Sequence, residues 1–193
     1  MSVIRSFIAV DLPETLNRSL EQASQQLQEL VGSLPVRWVP VLNIHLTLKF
    51  LGDVSEKNIR MLQSILYTEA ANHHQFEISV GGFGMFPNAT RPRVLWVGVE
   101  APDELINLQR RIDVETARLG YAPDQREFNP HLTFGRVSRN ASTKQVRKVS
   151  TLLRNHKISF LGAARIEDVT LFRSDLGPNG AVYSKIYTAK LSE

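Results

Sequence analysis

The sequence predicts an α+β fold of two lobes related by a pseudo-twofold axis, and three observations predict it. "NIHLTLKF" (Asn43 to Phe50) is echoed by "NPHLTFGR" (Asn129 to Arg136), placing a His-x-Thr segment twice in a chain with only five histidines. Each segment is preceded by a strand with its helix and followed by a helix and then a hairpin. Ser6 to His45 spans 39 residues and Val94 to His131 spans 37, so spacing repeats along with order. Two interleaved internal repeats within one domain, residues 1–193, are the expected organisation, with the strand order of the sheets left open.

The elements follow from periodicity and punctuation. "SFIAVDL" (Ser6 to Leu12) reads as a buried strand closed by Pro13. Leu16, Leu20, Ala23, Leu27 and Leu30 recur at helical steps and give an apolar stripe that stops at Gly32. A short strand at Val36 to Val39 precedes the first His segment, where Leu46 and Leu48 face one way and His45, Thr47 and Lys49 the other, until "LGDVS" breaks it. Ser55 with Asn58 caps a second helix with the face Ile59, Leu62, Leu66 and Ala70. Strands "QFEISVGGF" and "RVLWVGVE" flank an irregular loop, and a third helix with Leu105, Leu108, Ile112 and Leu119 stops at Gly120. After the second His segment a fourth helix runs from about Ser142 to Leu153. Strands near Ile158 to Phe160, Asp168 to Arg173 and Val182 to Thr188 complete the chain.

Composition narrows the function. Hydrophobic residues are 42% and charged residues 22%, which excludes disordered and fibrous classes. The net charge of +4 and a pI near 9.6 lean towards an anionic partner. The absence of cysteine excludes disulfides, thiolate nucleophiles and Cys-containing metal sites, and fits a reducing compartment. No apolar run is long enough for a signal peptide or a membrane span, so the cytoplasm is the expected location and no membrane partner is expected.

On a strand, residues i and i+2 point to one side about 6.5 Å apart. His45 with Thr47, and His131 with Thr133, therefore each present an imidazole and a hydroxyl above apolar anchors. If the pseudo-twofold brings the two strands together, one imidazole can remove a proton while the other delivers one, each transfer typically giving ~10² to 10⁴ in rate. The hydroxyls can donate to oxygens that gather charge. In-line displacement at phosphorus fits this layout, because attacking and leaving oxygens stand on opposite sides. A cyclic 2′,3′-phosphate is a natural target, and neither metal nor cofactor is required. Lys49 joins the His45 face only if the strand is unbulged; Arg136 has the wrong parity and joins only through a bulge or a long reach. Trp38 is a candidate for base stacking and Trp96 is assigned to the core. Arg91 and Arg93 sit in the irregular loop as candidate phosphate ligands or solvated loop residues. His73 and His74 read as helix-terminal and surface groups, and the basic run from Lys144 to Lys157 as either an RNA track or a solvated helix face.

With "RSFIAVDLP", "NIHLTLKFLGDV", "GGFGMFPNATRPRVLWVGV", "FNPHLTFGRV" and "LFRSDLGPNGAVYSKI" in this order, the sequence resembles the 2H phosphoesterase superfamily, in particular the bacterial and archaeal RNA 2′,3′-cyclic phosphodiesterases, also called 2′-5′ RNA ligases. The resemblance covers nearly the whole chain. It implies a bilobal 2H phosphoesterase fold, with antiparallel sheets facing a central cleft and helices outside. It also implies hydrolysis of an RNA-terminal 2′,3′-cyclic phosphate to a 2′-phosphomonoester, with His45 as proton donor, His131 as proton acceptor, and Thr47 and Thr133 binding the phosphoryl group. Arg136 matches a family arginine; with Lys49, Arg93 and Trp38 it completes the expected substrate-binding set. RNA ends or nucleotides carrying the cyclic phosphate are the expected partners, and the sequence names no protein partner. Ligation, turnover of small cyclic nucleotides, and an inactive RNA-end-binding protein are the competing functions.

Overall fold

Leucine-rich stripes and alternating strands condense into an α+β architecture of two antiparallel sheets and four helices; the computed structural model describes residues 3–177 and 180–193. Pro178 and Asn179, inside the closing segment quoted above, lie outside the described residues. The first sheet runs β3 (Leu46–Ser55), β1 (Val3–Val10), β8 (Asp168–Gly177), β9 (Gly180–Lys190). The second runs β2 (Val36–Trp38), β6 (His131–Val137), β5 (Val94–Glu100), β4 (Phe76–Phe86), β7 (Gly162–Ile166). Apart from the added β2, the sheets correspond in the order His strand, neighbour, returning strand, edge. β4 follows the first His strand yet pairs in the second sheet, and β8 follows the second yet pairs with β1, so each half lends a strand to the other.

Helices α1 (Glu14–Val31) and α4 (Thr143–Leu153) pack together, and α2 (Glu56–Ala71) packs on α3 (Asp103–Ala117) and the first sheet. Their stripes and the inner sheet faces form one continuous apolar core, holding Leu20, Leu62, Leu105 and Val149 together with Leu46 and Leu132. Each fully buried aliphatic side chain there contributes about 1.5–3 kcal/mol. The caps are local: Ser55 accepts from the Asn58 amide, and Ser142 with Gln145 closes a capping box on α4. His73 ends α2 by donating from Nδ1 to the Glu69 carbonyl, which satisfies one of the helix's last acceptors.

Several boundaries differ from expectation. Leu30 is exposed and Val31 takes its place in the stripe, because a step of four from Leu27 returns closer to the buried face than a step of three. α3 ends at Ala117, leaving Leu119 beyond it. "LGDVS" does not break β3: the strand continues to Ser55 by bulging at Leu51, with Gly52 at a φ of 70° that a side chain would strain. Ile158 to Phe160 is not a strand, although it lies against β4, where the Gly82 amide donates to the Ile158 carbonyl. The last strand pair of the second sheet is made by Gly162–Ile166 instead.

Two further bulges decide which residues reach the cleft. In β3, Ala9 pairs with Thr47 but Ile8 pairs with Lys49, so Leu48 is the extra residue. In β6, Trp96 pairs with Thr133 but Leu95 pairs with Gly135, so Phe134 is the extra residue at the matching position. An extra residue inverts the alternation beyond it. Lys49 therefore turns inward rather than joining the face of His45, and Phe50 turns outward; Gly135 turns inward and Arg136 outward.

Lys49 is 1% exposed, and its ammonium is committed to the Asp113 carboxylate and the Ala122 carbonyl (2.7 Å), with Asp124 at 3.7 Å. Lys49 also borders the cleft, so beside the expected substrate role it has a structural one, its ammonium being paired with these acceptors. It ties β3 to α3 and to the loop that leads towards His131. Removing one partner of such a buried pair costs about 3–5 kcal/mol by stranding the other charge. We expect Lys49→Ala to lower the unfolding free energy in urea by about that amount; an unchanged denaturation midpoint would contradict the structural role.

Candidate active site

β3 and β6 carry the two His-x-Thr segments, and the sheets turn these segments towards one another across a single cleft of about 820 Å³. His45, Thr47, His131 and Thr133 all line it. A smaller open depression of about 450 Å³ between α2 and α3 contains none of them. Leu46, Leu132 and Phe134 are buried on the opposite side and anchor both segments in the core, and Leu48 is buried while bordering the cleft.

The rings are held in the same way. His45 Nδ1 lies 2.8 Å from the carbonyl oxygen of Asn43, and His131 Nδ1 lies 2.7 Å from that of Asn129. A carbonyl only accepts, so each Nδ1 carries the hydrogen and each Nε2 is left free to take or give a proton. Aromatic side chains fix the ring planes. His45 stacks on Phe7 at 4.6 Å between centroids and meets Tyr183 edge-on at 5.2 Å; Phe7 in turn stacks on Phe172. His131 meets Phe86 edge-on at 5.0 Å, with Trp96 tilted at 6.0 Å, and Phe86 stacks on Trp96.

Trp96 therefore lies on the cleft face beneath His131 rather than in the core, where its apolar strand suggested it. The reason is parity: it pairs with Thr133 and shares that residue's face. Gly84 makes the room, since a Cβ there would fall 2.1 Å from the indole. Phe7, Phe86, Phe172 and Tyr183 had no assigned place in the sequence reading. The available signal was their position on the polar side of otherwise apolar strands, and it becomes readable only when strand pairing is known.

Burial lowers both imidazoles from their ordinary value of 6.5, because the cleft solvates a charged ring poorly, and Arg136 adds to this at both. The bonds to Asn43 and Asn129 act in the opposite direction. At His45 alone, the Asp11 carboxylate also opposes the lowering.

The other expected residues fall into place unevenly. Arg136 reaches the cleft through the bulge at Phe134, the device that its parity demanded. Arg37, not singled out from sequence, pairs with Arg136 across β2 and β6 and adds a second guanidinium to that wall. Arg93 lines the cleft while donating to the Ser138 carbonyl at 3.1 Å. Trp38 lines it from the rim, packed over Gly135, where a Cβ would sit 3.0 Å from the ring. Phe50 holds the position in the first half that Arg136 holds in the second, and its ring is 65% exposed on the cleft side near Phe7. Arg91 and the basic residues from Lys144 to Lys157 do not line this cleft. Among the described residues no group of three or more His, Asp or Glu stands close enough to hold a metal ion, and no helix is long and apolar enough to cross a membrane.

A model of the LigT-like phosphoesterase family matches residues 10–96 and, a second time, 97–183. The RNA 2′,3′-cyclic phosphodiesterase of Methanothermobacter thermautotrophicus is 35% identical over 97% of this chain and 99% of its own. That of Archaeoglobus fulgidus is 33% identical over 95% and 98%. Of solved structures, a Thermus thermophilus protein superposes with a TM-score of 0.82 at 27% identity, over 97% of this chain and 98% of its own. E. coli LigT complexed with 3′-AMP does so at 0.79 and 25%, over the full length of both. This chain belongs to the LigT-like phosphoesterase family.

Proposed function

We propose that the protein opens the 2′,3′-cyclic phosphate at an RNA end with water and leaves a 2′-phosphomonoester, using two histidines and no metal. The observation that carries the reading is the pair of imidazoles, each tied off through Nδ1, lining one cleft with the hydroxyls of Thr47 and Thr133. The names of the relatives support the substrate: those from M. thermautotrophicus and A. fulgidus are RNA 2′,3′-cyclic phosphodiesterases, and E. coli LigT accepts a nucleotide, 3′-AMP.

In this mechanism water approaches phosphorus in line with the bond to the 3′-oxygen. His131 Nε2 takes a proton from the water as the new P–O bond forms, and His45 Nε2 gives its proton to the 3′-oxygen as that bond breaks. The proton count closes when the two rings re-equilibrate with solvent. Thr47 and Thr133 donate to the non-bridging oxygens, and the Arg136 guanidinium offsets the charge that gathers there. Asp11 beside His45 alone favours the donor role for that ring, an asymmetry that a pseudo-twofold by itself would not supply. The same groups acting in the same sense, with a 5′-hydroxyl in place of water, would join it to the cyclic phosphate as a 2′-5′ linkage while the 3′-oxygen leaves, so hydrolysis and ligation differ only in the nucleophile admitted.

The organisation that goes with this reading is one bilobal domain of two interleaved repeats, each supplying one histidine and one threonine. A cytoplasmic location also goes with it, since RNA ends and a cysteine-free chain both suit that compartment.

Opening of a 2′,3′-cyclic phosphate-ended RNA is expected to persist in excess EDTA and to yield a 2′-phosphate; His45→Ala and His131→Ala should each lose ~10²-fold or more in turnover. Full activity in both variants, or a 3′-phosphate product, would sink the mechanism. The profile of kcat/KM against pH should be bell-shaped, because one ring must be charged and the other neutral. With burial lowering both rings, its maximum should fall on the acid side of 6.5. A rate that rises monotonically through pH 6 to 9, measured on the free enzyme with a cyclic mononucleotide, would rule out the pair as acid and base.

A further inference from the structure

The two histidines occupy matched places, but their neighbours across the sheet do not match. In the second half Trp96 pairs with Thr133, Val97 with Leu132 and Gly98 with His131. In the first half Ala9 pairs with Thr47 and Val10 with Leu46, which makes Asp11 the next residue, opposite His45. The place beside one imidazole thus carries a carboxylate, and the place beside the other carries no side chain.

This difference is built into the packing. A Cβ on Gly98 would lie 2.9 Å from the carbonyl oxygen of Gly81, a backbone atom in the neighbouring strand that cannot move aside. No side chain, acidic or otherwise, fits at the position that pairs with His131 across the strands. Asp11, by contrast, has a charged partner: its Oδ2 forms an ion pair with Lys185 Nζ at 2.5 Å. The register shift between β8 and β9 pairs Lys185 with Phe172, whose ring stacks on Phe7 against His45. Lys185 thereby stands on the histidine's side of the sheet.

We propose that Asp11, held in place by Lys185, is a positioning residue that makes the two histidines unequal, keeping the proton on His45 while His131 stays free to accept one. The inference rests on the acid and base roles given above. The charged groups that act on His45 are Asp11, just past the end of β1, and Arg136 on β6; on β9 the ring edge of Tyr183 packs against the imidazole and Lys185 pairs with Asp11. Arg136 acts on both rings in the same sense, so it cannot separate them. Asp11 acts on one. Lys185 tempers the carboxylate by pairing with it. A carboxylate near a general acid, an empty place near the general base and a cation restraining the carboxylate together convert a near-symmetric pair into a directed one.

The test is a proton NMR titration of the two imidazole Cε1–H signals in the full chain, for the wild type, Asp11→Asn and Lys185→Met, with no substrate present. His45 should titrate above His131 in the wild type. Asp11→Asn should shift His45 to lower pH and Lys185→Met should shift it to higher pH, while His131 moves less in both. Shifts of His45 in the same direction in the two variants, equal shifts of both rings, or a wild-type His45 that titrates at or below His131 would overturn the inference. In kinetics, the alkaline limb of kcat/KM should move to lower pH in Asp11→Asn, with turnover above the optimum falling roughly threefold to tenfold as the protonated fraction of the acid falls. The titrations require no turnover, so their failure is separable from failure of the phosphodiesterase reading, which the histidine variants decide.

Discussion

Each imidazole in the cleft is bonded through Nδ1 to the carbonyl of the residue two positions earlier, and the proposed acid and base roles both depend on that one bond being made twice. It fixes the tautomer, so that a single nitrogen on each ring is available. It fixes the ring plane as well, with help from Phe7 and Tyr183 on one side and Phe86 on the other. A histidine free to rotate would present either nitrogen at random, and the alignment of two proton transfers about one phosphorus would be lost. The bond is possible because His131 opens β6 and His45 immediately precedes β3, where the chain before the strand still curves back enough to offer its carbonyl.

Around this shared geometry the two halves use the same backbone device to different ends. Both His strands bulge one residue past the threonine, and in both the bulge brings the residue two further on out to the cleft. In the first half that residue is an aromatic ring, Phe50; in the second it is a guanidinium, Arg136. The inward residue is Lys49 in one and Gly135 in the other. Lys49 locks the loop after α3 through Asp113 and Ala122, and Gly135 admits the ring of Trp38. The guanidinium pair, Arg37 beside Arg136, therefore stands on the second sheet alone, while aromatic rings line the cleft from both sheets. A phosphate and a nucleobase need such groups, the first for charge-assisted hydrogen bonds and the second for stacking.

Much of this was legible in the sequence, and the remainder was hidden for physical reasons. The two His-x-Thr segments, the helical stripes and the repeat of element order are local patterns, and they survive into the structure because each is set by nearest neighbours in the chain. Bulges are not local. Whether Leu48 or Phe134 is an extra residue depends on the strand opposite, so the inward turn of Lys49 could not be read from "HLTLKF", and the outward turn of Arg136 could be stated only as a condition. Trp96 was misplaced for the same reason, since its apolar neighbours conceal which face it shares. Val31 in place of Leu30 is a smaller case: two apolar residues competed for the last turn of α1, and helical geometry favoured the less hydrophobic. The exchange of β4 and β8 between sheets lies wholly beyond local pattern, being a choice among pairings that all satisfy the same alternation.

The central claim is that one phosphorus stands between the two free nitrogens. A crystal structure of the protein with a nucleoside 2′,3′-cyclic vanadate, whose five-coordinate metal centre imitates the transition state, tests it most directly. The account predicts His45 Nε2 and His131 Nε2 each within about 2.6–3.2 Å of an apical oxygen, on opposite sides of the vanadium. A vanadate held by only one of the rings, or with both rings on the same side, would contradict it.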